Sequence, residues 1–185
     1  MGNTASITIR PARDSDALAI ARVHVETWRE TYPTLLPPDY LAEKLSISRS
    51  ATNWSRSLRT GGVERILVAE SEPTGVIGFA AFGPSRETMF PDDGELYAIY
   101  LDVDAQNLGL GRQLCRQVAA EFMKNGQTAM FAEVLEGNPS RFFYEALGAE
   151  RAAVKEHRFA GELLPAVLYR FSDLGALTSA KLQDG

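Results

Sequence analysis

Apolar and polar residues alternate over Ile7-Thr8-Ile9-Arg10-Pro11 and stop at the proline, which predicts an edge strand beginning near Ile7. Asp14 or Ser15 is placed to cap a helix in which Leu18, Ile20, Ala21, Val23 and Trp28 recur at helical spacing to about Thr31. Leu35-Leu36-Pro37-Pro38 leads into a short helix around Tyr40 to Leu45. A further helical piece around Trp54 to Leu58 ends at Thr60-Gly61-Gly62. The chain then becomes β-rich. A strand from Arg65 to Glu70, the turn Pro73-Thr74-Gly75 and a partner from Val76 to Phe82 form a hairpin, and Phe90-Pro91-Asp92-Asp93-Gly94 leads into a strand from Glu95 to Val103. These make a three-stranded antiparallel meander.

The next stretch changes period. Leu114, Val118 and Phe122, with Cys115 and Ala119, recur at helical spacing until Asn125-Gly126. Thr128 to Leu135 reads as a parallel return strand. Asn138 is placed to cap a helix with Pro139 at its first position and Gly148 at its end. On a helical projection Phe142, Phe143, Ala146 and Leu147 share one face and Tyr144 falls opposite. Glu150 to Phe159 and Leu163 to Phe171 form a closing hairpin around Ala160-Gly161-Glu162. After Phe171 the apolar periodicity is low, so the tail is expected to fray, with Leu174, Leu177 and Leu182 able to add a helical turn or two.

Between the Glu95 strand and the following helix lies Gln106-Asn107-Leu108-Gly109-Leu110-Gly111. A strand, a glycine turn and a helix N-terminus gather unpaired N–H groups at the positive end of a helix dipole, which suits an anion such as a pyrophosphate. A nucleotide-triphosphate loop would need Lys-Ser/Thr after its last glycine, and here Arg112-Gln113 follows. A dinucleotide fingerprint would need a third glycine where Leu114 stands, which weakens that reading. A plain strand–helix turn stays open on these residues alone.

Gln106-x-x-Gly109-x-Gly111 resembles the pyrophosphate loop of the GNAT superfamily of acyl-CoA-dependent N-acyltransferases. The resemblance extends to Glu95-Leu96-x-x-Ile99-x-Leu101-x-Val103 ahead of it and to Asn138-Pro139-x-x-x-Phe143-Tyr144-x-x-Leu147-Gly148 behind, so it covers Glu95 to Gly148 in order. One departure is that Asn107-Leu108 stands where the family usually carries Arg or Lys, leaving Arg112 as the loop's cation. The resemblance implies an α+β (α/β GNAT-like) fold: a mixed, mostly antiparallel sheet of about seven strands, helices on both faces, and a parallel pair at the coenzyme site. It implies acetyl-CoA as co-substrate, held by Leu101, Asp102 and Val103 through backbone pairing, by Gln106, Leu108, Gly109, Leu110, Gly111 and Arg112 around the phosphates, and by Asn138 on the pantetheine arm.

The length of 185 residues suits one domain burying about 70% of its unfolded surface. We read a disordered end at residues 1–6, a domain at 7–171 and a tail at 172–185. Apolar residues at 45% and charged residues at 23% describe an ordinary globular chain. A net charge of −5 without a Lys/Arg cluster argues against nucleic acid as a partner. One cysteine, no signal peptide and no 18-residue apolar run predict a cytoplasmic protein without membrane attachment, and a homodimer is left open. His24, His157 and Cys115 lack metal-ligand spacing, so no metal is predicted. Cys115 falls on the buried face of its helix, which favours direct transfer over an acyl-enzyme.

An amine of pKa near 10 must lose a proton before it attacks, at about 4 kcal/mol near pH 7. The resemblance gives Glu95 as the base that takes it, directly or through water, and Tyr144 as the acid that protonates the leaving thiolate; the bland alternatives are a solvated strand-end carboxylate and a surface tyrosine. Trp28 and Tyr32 share a helix face and are either core or, with Tyr97, the acceptor pocket, whose approach Asp92 and Asp93 would bias toward cations. The expected activity is N-acetylation of a primary amine on a small-molecule or peptidyl acceptor. The alternatives are a non-catalytic acyl-CoA-binding module of the same fold and a nicotinamide oxidoreductase.

Overall fold

The computed structural model describes residues 6–32, 45–159 and 161–179. Strand β1 (Ile7–Pro11) leads through a 3-10 turn at Asp14–Asp16 into α1 (Ala17–Thr31), and α2 (Ile47–Arg59) follows. Next come β2 (Arg65–Ser71), β3 (Gly75–Pro84), β4 (Gly94–Leu101), a 3-10 turn at Val103–Ala105, α3 (Leu110–Lys124), β5 (Met130–Leu135) and α4 (Arg141–Ala146). The hairpin β6 (Glu150–Phe159) and β7 (Glu162–Phe171) precedes α5 (Leu174–Ser179). One seven-stranded sheet has the order β1-β2-β3-β4-β5-β7-β6, antiparallel throughout except for β4 and β5. The α+β architecture expected from the sequence is therefore present. A doubly wound dinucleotide fold would need a run of parallel strands, and one parallel pair does not supply it.

Alternation along the strands puts a core on each face of the sheet. On β2, Ile66 and Val68 join Val76, Phe79 and Ala81 beneath Ile20 and Val23 of α1, with Trp54 and Leu58 of α2 packed alongside. Leu67 and Ala69 point the other way, toward Leu114, Cys115, Val118 and Phe122 of α3 and toward Leu174 and Leu177 of α5. Both faces are covered, so the central strands read as almost continuous apolar runs.

Four boundaries differ from the sequence reading, each for a local reason. Asp16, rather than Asp14 or Ser15, organises the start of α1: its carboxylate accepts the Arg13 N–H at 2.7 Å and pairs with Arg10 at 2.7 Å. Helix α2 starts seven residues earlier than Trp54, at Ile47, because Ser46 caps the Arg49 N–H at 3.5 Å; a Ser/Thr-rich segment reads as loop until the cap is seen. Helix α4 begins at Arg141, since Asn138 accepts the Ser140 N–H at 2.8 Å in a local turn instead of capping a helix. The tail carries α5, anchored where the Leu174 N–H donates to Thr128 O at 3.0 Å and Arg116 Nε to Leu177 O at 3.1 Å. The expected helix around Tyr40, with Leu35 to Pro38 before it, and Leu182 lie outside the described residues.

Strands β4 and β5 pair only over Gly94–Leu96 and Met130–Ala132. Beyond that they part. At the point of parting Ala81 opposes Ala98 and Phe82 opposes Leu96, so Tyr97 is an extra residue that bulges β4. The paired segment is pinned from below, where the Phe122 ring lies against Gly94 so closely that a Cβ there would come within 2.5 Å of it.

His24 of α1 sits among the rings of Trp28, Trp54, Phe79 and Tyr100, and this burial pushes its pKa from 6.5 down to about 4. The native state therefore keeps His24 neutral while the unfolded chain accepts a proton at higher pH. The resulting stability is complete above pH 6.5 and is lost as pH falls toward 4, by about 1.4 kcal/mol per pH unit. Urea denaturation of wild type and His24→Gln at pH 7 and pH 4.5 is expected to show a smaller acid-induced loss in the variant; equal losses would contradict this placement of His24.

Candidate active site

The gap between the parted strands opens into a cavity of about 700 Å³, lined by β4 from Glu95 to Leu101, β5 from Glu133 to Leu135, the loop at Gln106 to Arg112, and Trp28 and Tyr32 at the end of α1. Tyr97 to Leu101 have no ladder partner on the β5 side, so their backbone groups on that side face the gap. The cavity brings together most of the residues singled out from the sequence.

At one end is the glycine loop. Asn107 takes φ 60 and Gly109 φ 74, the latter as the cap of α3. Among the described residues no side chain caps that helix, and the first ladder bond is Gln113 N–H to Gly109 O at 3.1 Å, so the first-turn N–H groups are open to a ligand. A Cβ at Gly109 would meet nothing within 4 Å, whereas at Gly111 it would meet Phe143 at 3.2 Å and Leu101 at 3.4 Å. The two glycines thus differ: Gly109 supplies the left-handed turn, while Gly111 lets the helix start pack against Phe143 and does not simply keep phosphate space clear. Arg112 lines the cavity and has no ion pair among the described residues. Leu108 and Val103 are exposed, and Leu110 is buried.

The loop's approach is held from outside the cavity. Asp102 donates its N–H to Ile77 O at 2.8 Å and pairs with Arg22 at 3.0 Å. Leu101 O accepts from Thr27 Oγ1 at 3.3 Å and Gln106 Nε2 at 3.1 Å, so that carbonyl is already engaged. Asn138 is likewise engaged: its Nδ2 donates to Tyr32 Oη at 3.0 Å while its Oδ1 receives Ser140. This buried bond fastens α1 to the segment after β5. Trp28 packs on Tyr32 with ring centroids 4.9 Å apart, so the two aromatics are both core and cavity wall.

Tyr144 corrects the helical projection. It is buried, stacked on Tyr169 and edge-on to Phe143, while Phe142 is the exposed ring of that helix. The face of α4 turned to the core is set by what packs on it: Tyr169 of β7 stacks on Tyr144, and Phe143 and Leu147 are only partly buried beside it. Burial raises the Tyr144 pKa well above its ordinary 10, yet the hydroxyl has no hydrogen-bond partner among the described residues and Tyr144 lines the cavity. Cys115 is fully buried, and burial pushes its thiol up to about 12, so it is a poor nucleophile here.

The other end of the cavity carries charge. Glu95 Oε1 accepts from Arg86 Nη2 at 2.6 Å and Nε at 3.1 Å, and Oε2 accepts the Arg86 N–H at 2.7 Å. Its side chain is 4% exposed against 63% for Arg86. Direct proton abstraction by Glu95 would have to break that pair. Arg86 also lies 3.9 Å over the Tyr97 ring, whose hydroxyl donates to Pro84 O at 2.6 Å. Opposite stands Glu133 of β5, paired with Lys155 at 2.7 Å and His157 Nδ1 at 2.5 Å; Lys155 also pairs with Glu87. Asp93 is neutralised by Arg170 at 2.6 Å, and neither Asp92 nor Asp93 lines the cavity, so they do not bias the acceptor approach.

Arg86 and Glu133 escaped the sequence reading, and His157 entered it only as a histidine without metal-ligand spacing. Glu133 left a trace, an acid inside the apolar strand Met130–Leu135, whereas Arg86 sits in an irregular loop and His157 needed its partner strand to be seen. Among the described residues no group of three or more His, Cys, Asp or Glu side chains could hold a metal, and no helix is long and apolar enough to cross a membrane.

A family model described as FR47-like protein matches residues 86–159. The N-acetyltransferase YuaI of Bacillus subtilis is 41% identical over 172 residues, 92% of this chain and 96% of that one. The fold is shared with a Desulfovibrio desulfuricans protein assigned as a GNAT-family acetyltransferase (TM-score 0.71, 24% identity, 92% and 100% of the two chains). It is also shared with a GNAT superfamily phosphinothricin acetyltransferase from Sinorhizobium meliloti in complex with acetyl-CoA (TM-score 0.67, 24% identity, 97% and 94%). Identity to YuaI over nearly the whole of both chains, on a sheet whose parallel strands part around this cavity, shows that the chain belongs to the GNAT superfamily of N-acetyltransferases.

Proposed function

We propose that this protein transfers an acetyl group from acetyl-CoA directly to a primary amine, the two substrates meeting between β4 and β5. The observation that carries this is the coincidence of the open strand edge with the uncapped start of α3. Free backbone groups of β4 suit the amides of an extended pantetheine arm, as an added strand. The first-turn N–H groups of α3 and the Arg112 guanidinium suit a pyrophosphate. Acetyl-CoA supplies an activated thioester carbonyl, so the protein has to position it, accept a proton from the amine and return one to sulfur.

Tyr144 is placed to return that proton. Its raised pKa keeps the hydroxyl protonated at every working pH, and with no hydrogen-bond partner among the described residues it is free to donate as the C–S bond breaks. Across the cavity, His157, oriented by its Nδ1 contact with Glu133, is the better candidate to accept the amine proton as the N–C bond forms, because Glu95 is committed to Arg86 on both oxygens and Glu133 to Lys155 and His157. Glu95 then serves the reaction by holding Arg86 in place. A buried, unreactive Cys115 is consistent with direct transfer. A non-catalytic acyl-CoA-binding role would leave the Tyr144 hydroxyl and the Glu133–His157 pair in the same cavity without use.

Thermal unfolding with and without acetyl-CoA tests binding: at 100 times its dissociation constant the ligand should add about 2.7 kcal/mol. Gly109→Ala, which forces a Cβ into φ 74, should weaken that shift, and full stabilisation of the folded variant would remove the loop from the binding site. Tyr144→Phe should lower turnover about 100-fold while keeping acetyl-CoA affinity, read as thiol release in the presence of an accepted amine. A variant turning over at the wild-type rate would remove Tyr144 from proton transfer.

A further inference from the structure

The acceptor end of the cavity has two poles of opposite charge, and one of them is more organised than a surface arginine needs to be. Glu95 holds Arg86 along its Nε–Nη2 edge, with Oε1 taking both donors, and the Tyr97 ring supports the guanidinium from one face at 3.9 Å. That leaves Nη1 and the second hydrogen of Nη2, which form the end-on fork of the guanidinium, without a partner among the described residues. The side chain is 63% exposed and lines the cavity, while the carboxylate behind it is buried. A fork fixed in orientation by a buried acid and an aromatic face, with two parallel N–H groups pointing away from that acid, is shaped for a carboxylate.

The second pole is Glu133, which faces the same cavity and whose charge is met by Lys155 and His157. An amine entering here finds the Glu133–His157 pair, whose imidazole can receive its proton, and, along β4, a guanidinium with an unused edge. A polyamine or aminoglycoside, all cation, would place positive charge against Arg86 and find no uncommitted anion among the described residues lining the cavity, since Glu133 is paired with Lys155 and His157 and Glu95 is behind the guanidinium. We propose that Arg86 is a specificity-determining residue that binds a carboxylate of the acceptor, so that the substrate is a small amine bearing a carboxylate, of the α-amino acid type. This rests on the acetyl-transfer reading above and adds the acceptor's chemical class to it.

The test compares acceptors that differ only at the anion. Free α-amino acids, their carboxamides and a linear polyamine are offered to the wild-type protein with acetyl-CoA, and thiol release is followed. Loss of one charge-assisted contact predicts that kcat/KM for the acids exceeds that for the matching carboxamides by about 10- to 100-fold, chiefly through KM. Because Arg86→Gln alone would strand the buried Glu95 charge, the variant used is Arg86→Gln with Glu95→Gln, and it should collapse the ratio of acid to carboxamide. Carboxamides or the polyamine equalling the acids in the wild type would overturn the assignment while leaving acetyl transfer standing. An unchanged ratio in the folded double variant would overturn it too. Thiol release with none of the three classes, despite bound acetyl-CoA, would overturn both readings together.

Discussion

The structure depends on two neighbouring strands ceasing to pair. β4 and β5 share a ladder for only three residue pairs, after which a bulge at Tyr97 turns β4 away and leaves backbone donors and acceptors facing an open wedge. Unpaired main-chain groups are costly when they are shut away from water, so the wedge is stable only while it is wet or filled by a partner that restores the bonds. The sheet on either side cannot close it. β4 is tied to β3 and β5 to β7, with apolar cores on both faces fixing each half. An extended ligand bearing amide groups fits that requirement better than a compact one.

Polar contacts then set the shape of the wedge. The Tyr32–Asn138 bond spans it near the aromatic wall, Arg22–Asp102 braces the end of β4, and Glu95–Arg86 occupies the mouth of the parted strands. The first two join segments far apart in the chain and the third ties β4 to the loop before it, so each is a constraint on geometry more than a large source of stability. The glycine loop completes one end by turning through Gly109 and starting α3 with no side-chain cap. The same feature that would be a defect in a structural helix, a row of unsatisfied N–H groups, is what suits it to an anion.

Much of this was legible in the sequence because it is carried by local pattern. Strand alternation, the 3.6-residue period of Leu114, Val118 and Phe122, and the loop Gln106 to Gly111 placed the sheet and the helix start where they are. The tail helix and the early start of α2 were less visible, since their apolar residues are few and their anchors are long-range or depend on one serine. Side-chain pairing was not visible at all. Glu95 looks like a free strand-end acid until Arg86 is folded onto it, Asp93 looks like a free charge until β7 brings Arg170, and Tyr144 looks exposed until β7 brings Tyr169 onto it. Glu133 and His157 lie 24 residues apart on strands separated by β7, an adjacency no local pattern encodes.

The central claim is that the open edge of β4 and the start of α3 together form the coenzyme site, and amide hydrogen exchange of the intact protein addresses it directly. Adding saturating acetyl-CoA should slow exchange in Tyr97 to Val103 and in Leu108 to Arg112, at the N–H groups that face the gap or open the first turn of α3, and leave the β2–β3 hairpin unchanged. Saturable binding with protection elsewhere, and none in these two segments, would contradict it.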